Sequence, residues 1–374
     1  MKILFAAGGT SGHINPAIAI AGRFKSAFPD AEFLFIGTEN SLESRLVPAA
    51  GYPFKTMKVS GFSRSLSVKS LVHNIKTVGS LINAGRQAKQ IIQEFSPDIA
   101  IGTGGYISGP IIRAAAKKGV KTLIHESNAY PGVTTKLLSK IVDVVLLATP
   151  KTKDYLPGAK RTEVVGTPVN PDFTNIIKQA SRQKLGIAPD RFVVLSVGGS
   201  LGAVVFNRAV ANAISWEVSQ PEIVHIHGYG NRGSAFLPEL EALGVDYKNN
   251  RNLDLREYIS DMPVCMAAAD LVVSRCGGST ITELCAAGKA SILIPSPNVT
   301  ENHQFHNGMT LVNAGAALML EEKDITETAL TELIKQFFFD RKKCEIFEKN
   351  ALSLAVFDTT DRIFEISTEL LKNR

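Results

Sequence analysis

The sequence predicts an α/β protein of two doubly wound domains, each built on a parallel sheet, with the ligand in a cleft between them. Three glycine-rich loops support this prediction, because each lies between an apolar strand and an apparent helix and they occur in both halves of the chain. The length of 374 residues also suits two domains. Its 45% hydrophobic content is enough to fill ordinary globular cores.

The first half of the chain alternates short apolar runs with helical segments. The runs predict buried strands at residues 3–7, 32–36, 98–101, 120–124 and 142–147. Asn15 is expected to cap the first helix, and Pro16 then occupies its first position. Two prolines within residues 163–171 are typical of a linker, so the first half should end there.

The same alternation restarts after this linker. Strands are expected at residues 192–197, 223–227, 271–274 and 290–294. A helix should begin near Ala203, and a shorter one should end at Gly288. The second half therefore repeats the strand, glycine loop and helix of the first half.

The glycine loops are the candidate ligand sites, at residues 8–13, 102–105 and 198–202. A glycine loop that opens a helix leaves backbone N–H groups free at the positive end of the helix dipole, where phosphate binds. None of the three has the G-x-G-x-x-G or P-loop spacing. The chain also has no Asp-x-Asp pair for a metal-bound diphosphate. This pattern favours a transferase that holds a nucleotide diphosphate with helix dipoles and without a metal.

Two side chains near these loops are candidates for chemistry. His13 ends the first loop, where it is either a general base or a hydrogen-bonding group of the turn. Glu283 lies within a short helix after Gly277 and Gly278, where it is either an acceptor for ribose hydroxyls or a surface glutamate.

Two histidine pairs superficially resemble metal sites, namely His225 with His227 and His303 with His306. Neither has a convincing third ligand, so we interpret them as structural or substrate-contacting and predict no metal. The four cysteines show no C-x-x-C spacing, which suits a reducing compartment.

The charge of the chain is unevenly distributed. Its net charge is +6, yet residues 44–93 hold eight Lys or Arg and no acid, so the remainder is slightly acidic. Such a stretch indicates an anionic partner, either membrane or nucleic acid, unless it is simply a solvated surface. Within it, residues 66–82 have an apolar face that either lies on a membrane or packs on a sheet. The sequence shows no spanning run and no export signal.

Five segments, taken together and in order, are more specific than any single loop. They are residues 8–17 (GGTSGHINPA), 104–110 (GGYISGP), 125–129 (HESNA), 198–203 (GGSLGA) and 274–288 (SRCGGSTITELCAAG). On these segments the chain closely resembles the MurG family, the UDP-N-acetylglucosamine–N-acetylmuramyl-(pentapeptide) pyrophosphoryl-undecaprenol N-acetylglucosamine transferases of bacterial wall synthesis. The resemblance covers nearly the whole chain.

The resemblance implies a GT-B fold, in which two Rossmann-like domains face each other across the active-site cleft. It implies an acceptor-binding and membrane-facing domain at residues 1–167, on which a last helix of about 358–374 packs, and a UDP-GlcNAc-binding domain at 168–357. The implied reaction is inverting transfer of GlcNAc to the C4 hydroxyl of the muramoyl sugar of lipid I, which yields lipid II. The implied location is the cytoplasmic face of the plasma membrane, bound peripherally to anionic lipid, with no nucleic acid and no cofactor.

For this reaction we predict His13 as the catalytic base, and the resemblance implies further contacts by position. It places four residues beside the donor sugar, namely Thr10, Ser11, Gly12 and Asn128. It assigns the acceptor or phosphate loop to Gly104, Gly105 and Tyr106. In the second domain it implies that Ser200 contacts the diphosphate, that the backbone of Ile259 reads the uracil and that Gln304 contacts the sugar. The diphosphate and ribose are assigned to Gly278, Ser279, Thr280, Ile281, Thr282 and Glu283.

The chain departs from the family pattern at Asn170, where the family usually has an arginine that contacts the diphosphate. Three alternatives remain at this stage. One is another GT-B transferase with a UDP-sugar donor. A second is a dinucleotide-binding oxidoreductase, for which Glu39 is the only candidate ribose ligand. The third is a non-catalytic protein that binds membrane or nucleic acid through its basic surface.

Overall fold

The computed structural model describes residues 1–58, 83–199, 201–231 and 233–372. The chain divides into two units: the first comprises Met1–Val169 and Val356–Arg374, and the second comprises Asn170–Ala355. The helix expected over residues 66–82 and the diphosphate contact Ser200 lie outside the described residues.

The sheet of the first unit is parallel throughout, with strand order β3-β2-β1-β4-β5-β6-β7. This order winds outward in both directions from β1 and defines a doubly wound sheet. The strands are β1 Lys2–Ala7, β2 Glu32–Gly37, β3 Phe54–Thr56, β4 Ile99–Gly104, β5 Lys121–Glu126, β6 Val144–Leu147 and β7 Thr162–Val164.

Helices cover both faces of this first sheet. They are α1 Ser11–Ala27, α2 Glu43–Ala49, α3 (described over 83–95), α4 Ser108–Lys117, α5 Val133–Leu138 and, from the end of the chain, α15 Thr359–Lys372. A 3-10 helix spans Pro150–Tyr155. The last helix packs on α1, where the rings of Phe24 and Phe364 lie 5.1 Å apart.

The second unit repeats the arrangement with strand order β10-β9-β8-β11-β12-β13. Its strands are β8 Phe192–Val197, β9 Ile223–Gly228, β10 Leu253–Arg256, β11 Leu271–Ser274, β12 Ala290–Leu293 and β13 Ala317–Met319. Its helices are α6 Asp172–Asn175, α7 Lys178–Lys184, α8 Val204–Glu217, α9 Phe236–Ala242, α10 Met262–Ala268, α11 Gly278–Ala286, α12 His303–Asn313, α13 Ala329–Phe339 and α14 Arg341–Ser353. Short 3-10 helices span Thr300–Asn302 and Glu322–Asp324.

Each sheet separates two apolar cores, as parallel sheets require. In β1, Ile3 and Phe5 point to the core that includes α1, whereas Leu4 and Ala6 point to the core that includes α4. These strands are therefore apolar on both faces, which is why their sequences are nearly continuous apolar runs. Among the described residues, no helix is both long and apolar enough to cross a bilayer.

The sequence prediction missed four strands, β3, β7, β10 and β13. All four are the outermost strands of their sheets, and they have only three or four residues each. An edge strand has one neighbour and is partly exposed, so it lacks the buried apolar run that marked the central strands. Since β7 is Thr162–Val164, the predicted linker begins within the sheet, and that part of the prediction is wrong.

Candidate functional site

The first glycine loop lies at the carboxyl end of β1 and leads directly into α1. The helix begins at Ser11 with Thr10 as its N-cap, so the expected start at Asn15 and Pro16 is wrong. Pro16 instead lies inside the helix, where it cannot donate a hydrogen bond to the carbonyl of Gly12. The helix therefore begins inside the glycine-rich loop, and Thr10 and Ser11 are exposed there.

His13 occupies the first turn of this helix and is half-buried. Its Nδ1 lies 2.9 Å from the carbonyl oxygen of Gly8. The hydroxyl of Thr103 donates to the His13 carbonyl at 2.7 Å. A Cβ at Gly104 would lie 2.4 Å from the ring Cδ2, so only glycine leaves room for the imidazole there. With Nδ1 facing a carbonyl, the other ring nitrogen, Nε2, is the one left to accept a proton.

The second glycine loop packs against the first. Gly104 and Gly105 both have positive φ, at 121° and 83°. A Cβ at Gly105 would lie 2.2 Å from the Gly8 oxygen, so the two backbones touch. The structure thus brings together the predicted first-loop residues and the predicted pair Gly104 and Gly105, while the Tyr106 side chain is 64% exposed.

Asn128, the other predicted sugar contact of this unit, is held by a glutamate that the sequence prediction missed. Glu126 is buried at the end of β5. Its Oε1 accepts from the backbone and the side chain of Asn128 at 3.0 and 2.8 Å. Its Oε2 accepts from Gly132 N–H at 2.9 Å and from the Thr135 hydroxyl at 2.6 Å. One carboxylate therefore fixes both Asn128 and the start of α5.

In the second unit, the predicted donor segment forms the first two turns of α11, after Gly277 as N-cap. Residues 277–283 are all partly exposed. The amides of Gly278, Ser279 and Thr280 have no acceptor in the helix, because no turn precedes them. This end of α11 therefore offers N–H groups and a positive dipole to an anion.

Glu283 lies one turn further along α11 and is partly exposed. Although part of the residue is exposed, protein surrounds its carboxyl, and this desolvation raises the pKa of the carboxyl to about 8. Within the described ranges, no hydrogen bond or ion pair to this carboxylate is present. A carboxyl in the second turn of α11 that lacks donors from these residues is suited to accept hydrogen bonds from the hydroxyl groups of a ligand.

Gln304 connects the backbone just before this donor segment to the loop that follows β12. Its side-chain oxygen accepts from Cys276 N–H at 3.3 Å and from Ser296 N–H at 2.8 Å. Asn307 then donates to the Cys276 carbonyl at 3.0 Å. The Gln304 oxygen is thus occupied by backbone, and only its amide N–H groups remain for the sugar contact expected of it.

Ile259 lies in the loop between β10 and α10, with its side chain buried against Gly228 at the end of β9. Neither its N–H nor its carbonyl makes a hydrogen bond within the described part of the chain. The third glycine loop contacts the backbone directly after β9, because a Cβ at Gly202 would lie 2.2 Å from the carbonyl oxygen of Tyr229. The structure thus places Ile259 and the third loop around the end of β9.

The histidine pair of β9 is buried in the sheet. Ser196 Oγ lies 2.6 Å from both His225 Nε2 and His227 Nδ1, and Glu217 lies 2.5 Å from His225 Nδ1. Burial, reinforced by the neighbouring His225, lowers the pKa of His227 well below its ordinary value. In the described residues, no group of three or more His, Cys, Asp or Glu is arranged to hold a metal ion.

Asn170 stands at the start of the second unit, where its side-chain oxygen accepts from Asp172 N–H at 3.0 Å. It therefore closes a local turn at the position where the family usually has an arginine.

Comparison with known proteins identifies the class to which this fold and site belong. Residues 3–147 match the glycosyltransferase family 28 N-terminal domain, and residues 193–361 match the glycosyltransferase family 28 C-terminal domain. The chain belongs to glycosyltransferase family 28, and the GT-B fold predicted from the motifs is confirmed. Neither the oxidoreductase nor the non-catalytic alternative is supported by these matches.

Particular relatives narrow the class further. The chain is 40% identical to the UDP-N-acetylglucosamine–N-acetylmuramyl-(pentapeptide) pyrophosphoryl-undecaprenol N-acetylglucosamine transferase of Acetivibrio thermocellus, over 100% of this chain and 99% of that one. It is 38% identical to the transferase of the same name in Bacillus cytotoxicus, over 100% of both chains. The crystal structure of Acinetobacter baumannii MurG superposes with a TM-score of 0.73 at 25% identity, over 98% of this chain and 99% of that one. The resemblance predicted from the motifs is therefore confirmed.

Proposed function

We propose that this chain transfers GlcNAc from UDP-GlcNAc to the C4 hydroxyl of the muramoyl sugar of lipid I. The similarity to the named transferases along its full length is the observation that carries this proposal. The free first-turn amides of α11 support a diphosphate held without a metal, and the carboxyl of Glu283, which has no hydrogen-bond donor among the described residues, supports the ribose of a nucleotide.

The proposed step is a single displacement. The C4 oxygen of the acceptor forms a bond to the anomeric carbon as the bond from that carbon to the UDP oxygen breaks, which inverts the configuration. His13 Nε2 takes the hydroxyl proton, and UDP leaves with the bonding electrons. The growing charge on the diphosphate is stabilised by the first-turn amides of α11 and, in our proposal, by Ser200 in the third loop. No covalent intermediate is needed.

We assign the remaining predicted contacts on the same basis. Thr10, Ser11, Gly12 and Asn128 line the sugar, the Ile259 backbone reads the uracil, and Glu283 accepts the ribose hydroxyls. The second loop, with Gly104, Gly105 and Tyr106, belongs to the acceptor side. Its close packing against the Gly8 carbonyl supports this placement next to His13.

Turnover of UDP-GlcNAc with a soluble lipid I analogue tests the proposal. His13→Ala should reduce kcat by about 10²–10⁴-fold, the usual contribution of a general base. A loss of less than tenfold would contradict the catalytic assignment. Screening of other UDP-sugars and acceptors would separate this reaction from those of other GT-B transferases.

We also propose that the first unit docks on the cytoplasmic membrane surface. The acceptor's lipid tail is held in the bilayer by about 0.8 kcal/mol per buried CH₂, so the enzyme must come to it. On α5, Val133 and Leu137 lie one turn apart and are 56% and 70% exposed, with Ile141 following. Lys136 and the exposed Lys140 flank them, and α4 packs on α5. An apolar face beside cations suits an anionic lipid surface.

This surface adds to the acid-free stretch 44–93, whose Arg64, Lys69 and Lys76 lie outside the described residues. Liposome co-sedimentation should show binding that requires anionic lipid and falls with salt. Leu137→Glu should weaken it, and so should charge reversal of the three basic residues. Phe339→Glu in the second unit, where Phe339 is 72% exposed, is the matched control and should leave binding intact. Equal binding of all variants to neutral liposomes would contradict the proposal.

A further inference from the structure

Glu43 is a buried carboxylate beneath the first glycine loop, and the proposed reaction does not use it. Its side chain is only 1% exposed. Its Oε2 accepts from Gly9 N–H at 3.1 Å, and its Oε1 accepts from the N–H and the hydroxyl of Thr38 at 3.1 and 2.7 Å. Within the described ranges, no cation pairs with it. Both oxygens therefore accept hydrogen bonds from neutral donors, and one of these donors, Gly9 N–H, belongs to the first glycine loop.

The backbone around Glu43 is shaped to admit this side chain. A Cβ at Gly8 would lie 2.7 Å from its Oε1, and a Cβ at Gly37 would lie 2.5 Å from its Cγ. Glycine at both positions thus makes room for a carboxylate. Burial acts to raise the pKa of Glu43, but the hydrogen bonds from Thr38 and Gly9 outweigh it and hold the pKa below its ordinary value. The group is therefore an anion at neutral pH.

One peptide unit connects Glu43 to His13. The N–H that Glu43 accepts belongs to Gly9, and the carbonyl that faces His13 Nδ1 at 2.9 Å belongs to Gly8. These two groups are the two ends of the same peptide plane. In a trans peptide they point in opposite directions, so carboxylate, peptide and imidazole follow one another in a chain of hydrogen bonds. Such chains polarise each member.

We propose that Glu43 is a positioning residue for His13 and acts through the Gly8–Gly9 peptide. It fixes the loop and makes the Gly8 carbonyl a stronger acceptor. That carbonyl then holds the ring with its proton on Nδ1, so that Nε2 is free to accept the hydroxyl proton. In hydrolase triads a carboxylate does this by direct contact with the histidine; here a peptide lies between them. The inference rests on the proposed role of His13 as the base.

Glu43→Gln tests the relay, because it keeps the shape and removes the charge. Its single carbonyl oxygen and its NH₂ group cannot satisfy the Gly9 and Thr38 donors together. We expect kcat to fall by about 10–100-fold, and the KM for UDP-GlcNAc to change by less than about threefold. Glu39→Gln is the matched control. Glu39 is exposed and follows β2, next to Thr38, so this variant should behave as the wild type.

Two readouts separate positioning from a general loss of structure. The double variant His13→Ala with Glu43→Gln should be no less active than His13→Ala alone, because both changes act on one group. Multiplied losses would overturn the proposal. ¹⁵N-edited NMR of the neutral imidazole should show the proton on Nδ1 in the wild type and a mixture of tautomers in Glu43→Gln. His13→Ala identifies the signals among the seven histidines.

The tautomer measurement needs no turnover, so it distinguishes failure of this inference from failure of the proposed function. An unchanged tautomer population in Glu43→Gln would overturn the positioning role even if His13 is essential. If Glu43→Gln does not fold, Thr38→Val serves instead, since it removes one donor and keeps the Gly9 bond. Thr38→Val should lower kcat and reduce the population of the Nδ1–H tautomer, both by less than Glu43→Gln does. No change in either quantity would overturn the proposal.

Discussion

The glutamates that border the candidate site differ between the two units. In the first unit, Glu43 and Glu126 accept hydrogen bonds on both oxygens from the loops around them. In the second unit, Glu283 has no such donor among the described residues, and burial raises its pKa to about 8. The first two therefore hold the shape of their loops, whereas Glu283 is suited to a ligand that brings donors of its own.

The largest expected effect comes from removing a shape-holding carboxylate. Glu126→Leu would leave four donors of Asn128, Gly132 and Thr135 without their acceptor, so the first unit should lose about 3 kcal/mol of unfolding free energy. Glu283→Leu leaves no such donor and should cost less than about 1 kcal/mol. Hydrogen exchange of β5 amides reports the first variant, and fluorescence of Trp216, the single tryptophan, reports the second. Equal losses would contradict the comparison.

A second effect concerns the pH dependence of donor binding. Ribose hydroxyls donate hydrogen bonds to the ionised form of Glu283, whose pKa in the free protein is about 8. At a pH below this value, binding of the donor should therefore release the proton of Glu283. The affinity for UDP-GlcNAc should therefore rise by about tenfold from pH 6 to pH 7 and level off above pH 8. Calorimetry in two buffers would also measure the released proton. Glu283→Gln should bind more weakly at pH 8 and show no such slope; the same slope in this variant would assign the proton to another group.

The smallest effect is on acid stability of the second unit. Burial holds the pKa of His227 well below its ordinary value of 6.5, so the unfolded chain binds this proton more readily than the folded one. This contribution to stability is complete above about pH 7 and is lost as the pH falls through 6.5, by about 1 kcal/mol at pH 5.5. Urea titrations followed by Trp216 fluorescence would measure it. His227→Gln should flatten the dependence, and an unchanged dependence would rule out His227 as its cause.

Much of the fold could be predicted because the central strands are buried on both faces. Their apolar runs are visible in the sequence without knowledge of any partner. The edge strands carry no such signal, and β7 was hidden by the prolines that follow it. The start of α1 was misplaced for a related reason, since Thr10 is a weaker signal than an Asn-Pro pair.

Reasoning from the residues alone reached only His13 and Glu283, which lie beside glycine loops. Asn128, Ile259 and Gln304 came from the family resemblance, and the roles of all five stay predictions.

Glu43 and Glu126 were missed because a single glutamate has no periodicity, and the Gly9 partner of Glu43 lies 34 residues away. For Glu126, its place at the end of an apolar strand, directly after His125, was the available signal. Glu43 could be recognised as a site residue only from the fold, which packs its side chain against Gly8 and Gly37.

The last helix, α15, completes the unit in which the chain begins. Ile363 is fully buried in that unit's core, and Arg161 donates to Glu369 at 2.9 and 3.1 Å. The whole second unit is thus an insertion between two parts of the first.

This connectivity sets an order of events during synthesis on the ribosome. The second unit emerges in full before α15 has been made, so it can complete its fold while the first unit still lacks this helix. The first unit, although it is translated earlier, still exposes the apolar face that Phe364 and Ile363 will cover. A chain stalled or cleaved just before α15 would therefore carry its defect in the part of the protein that was made first.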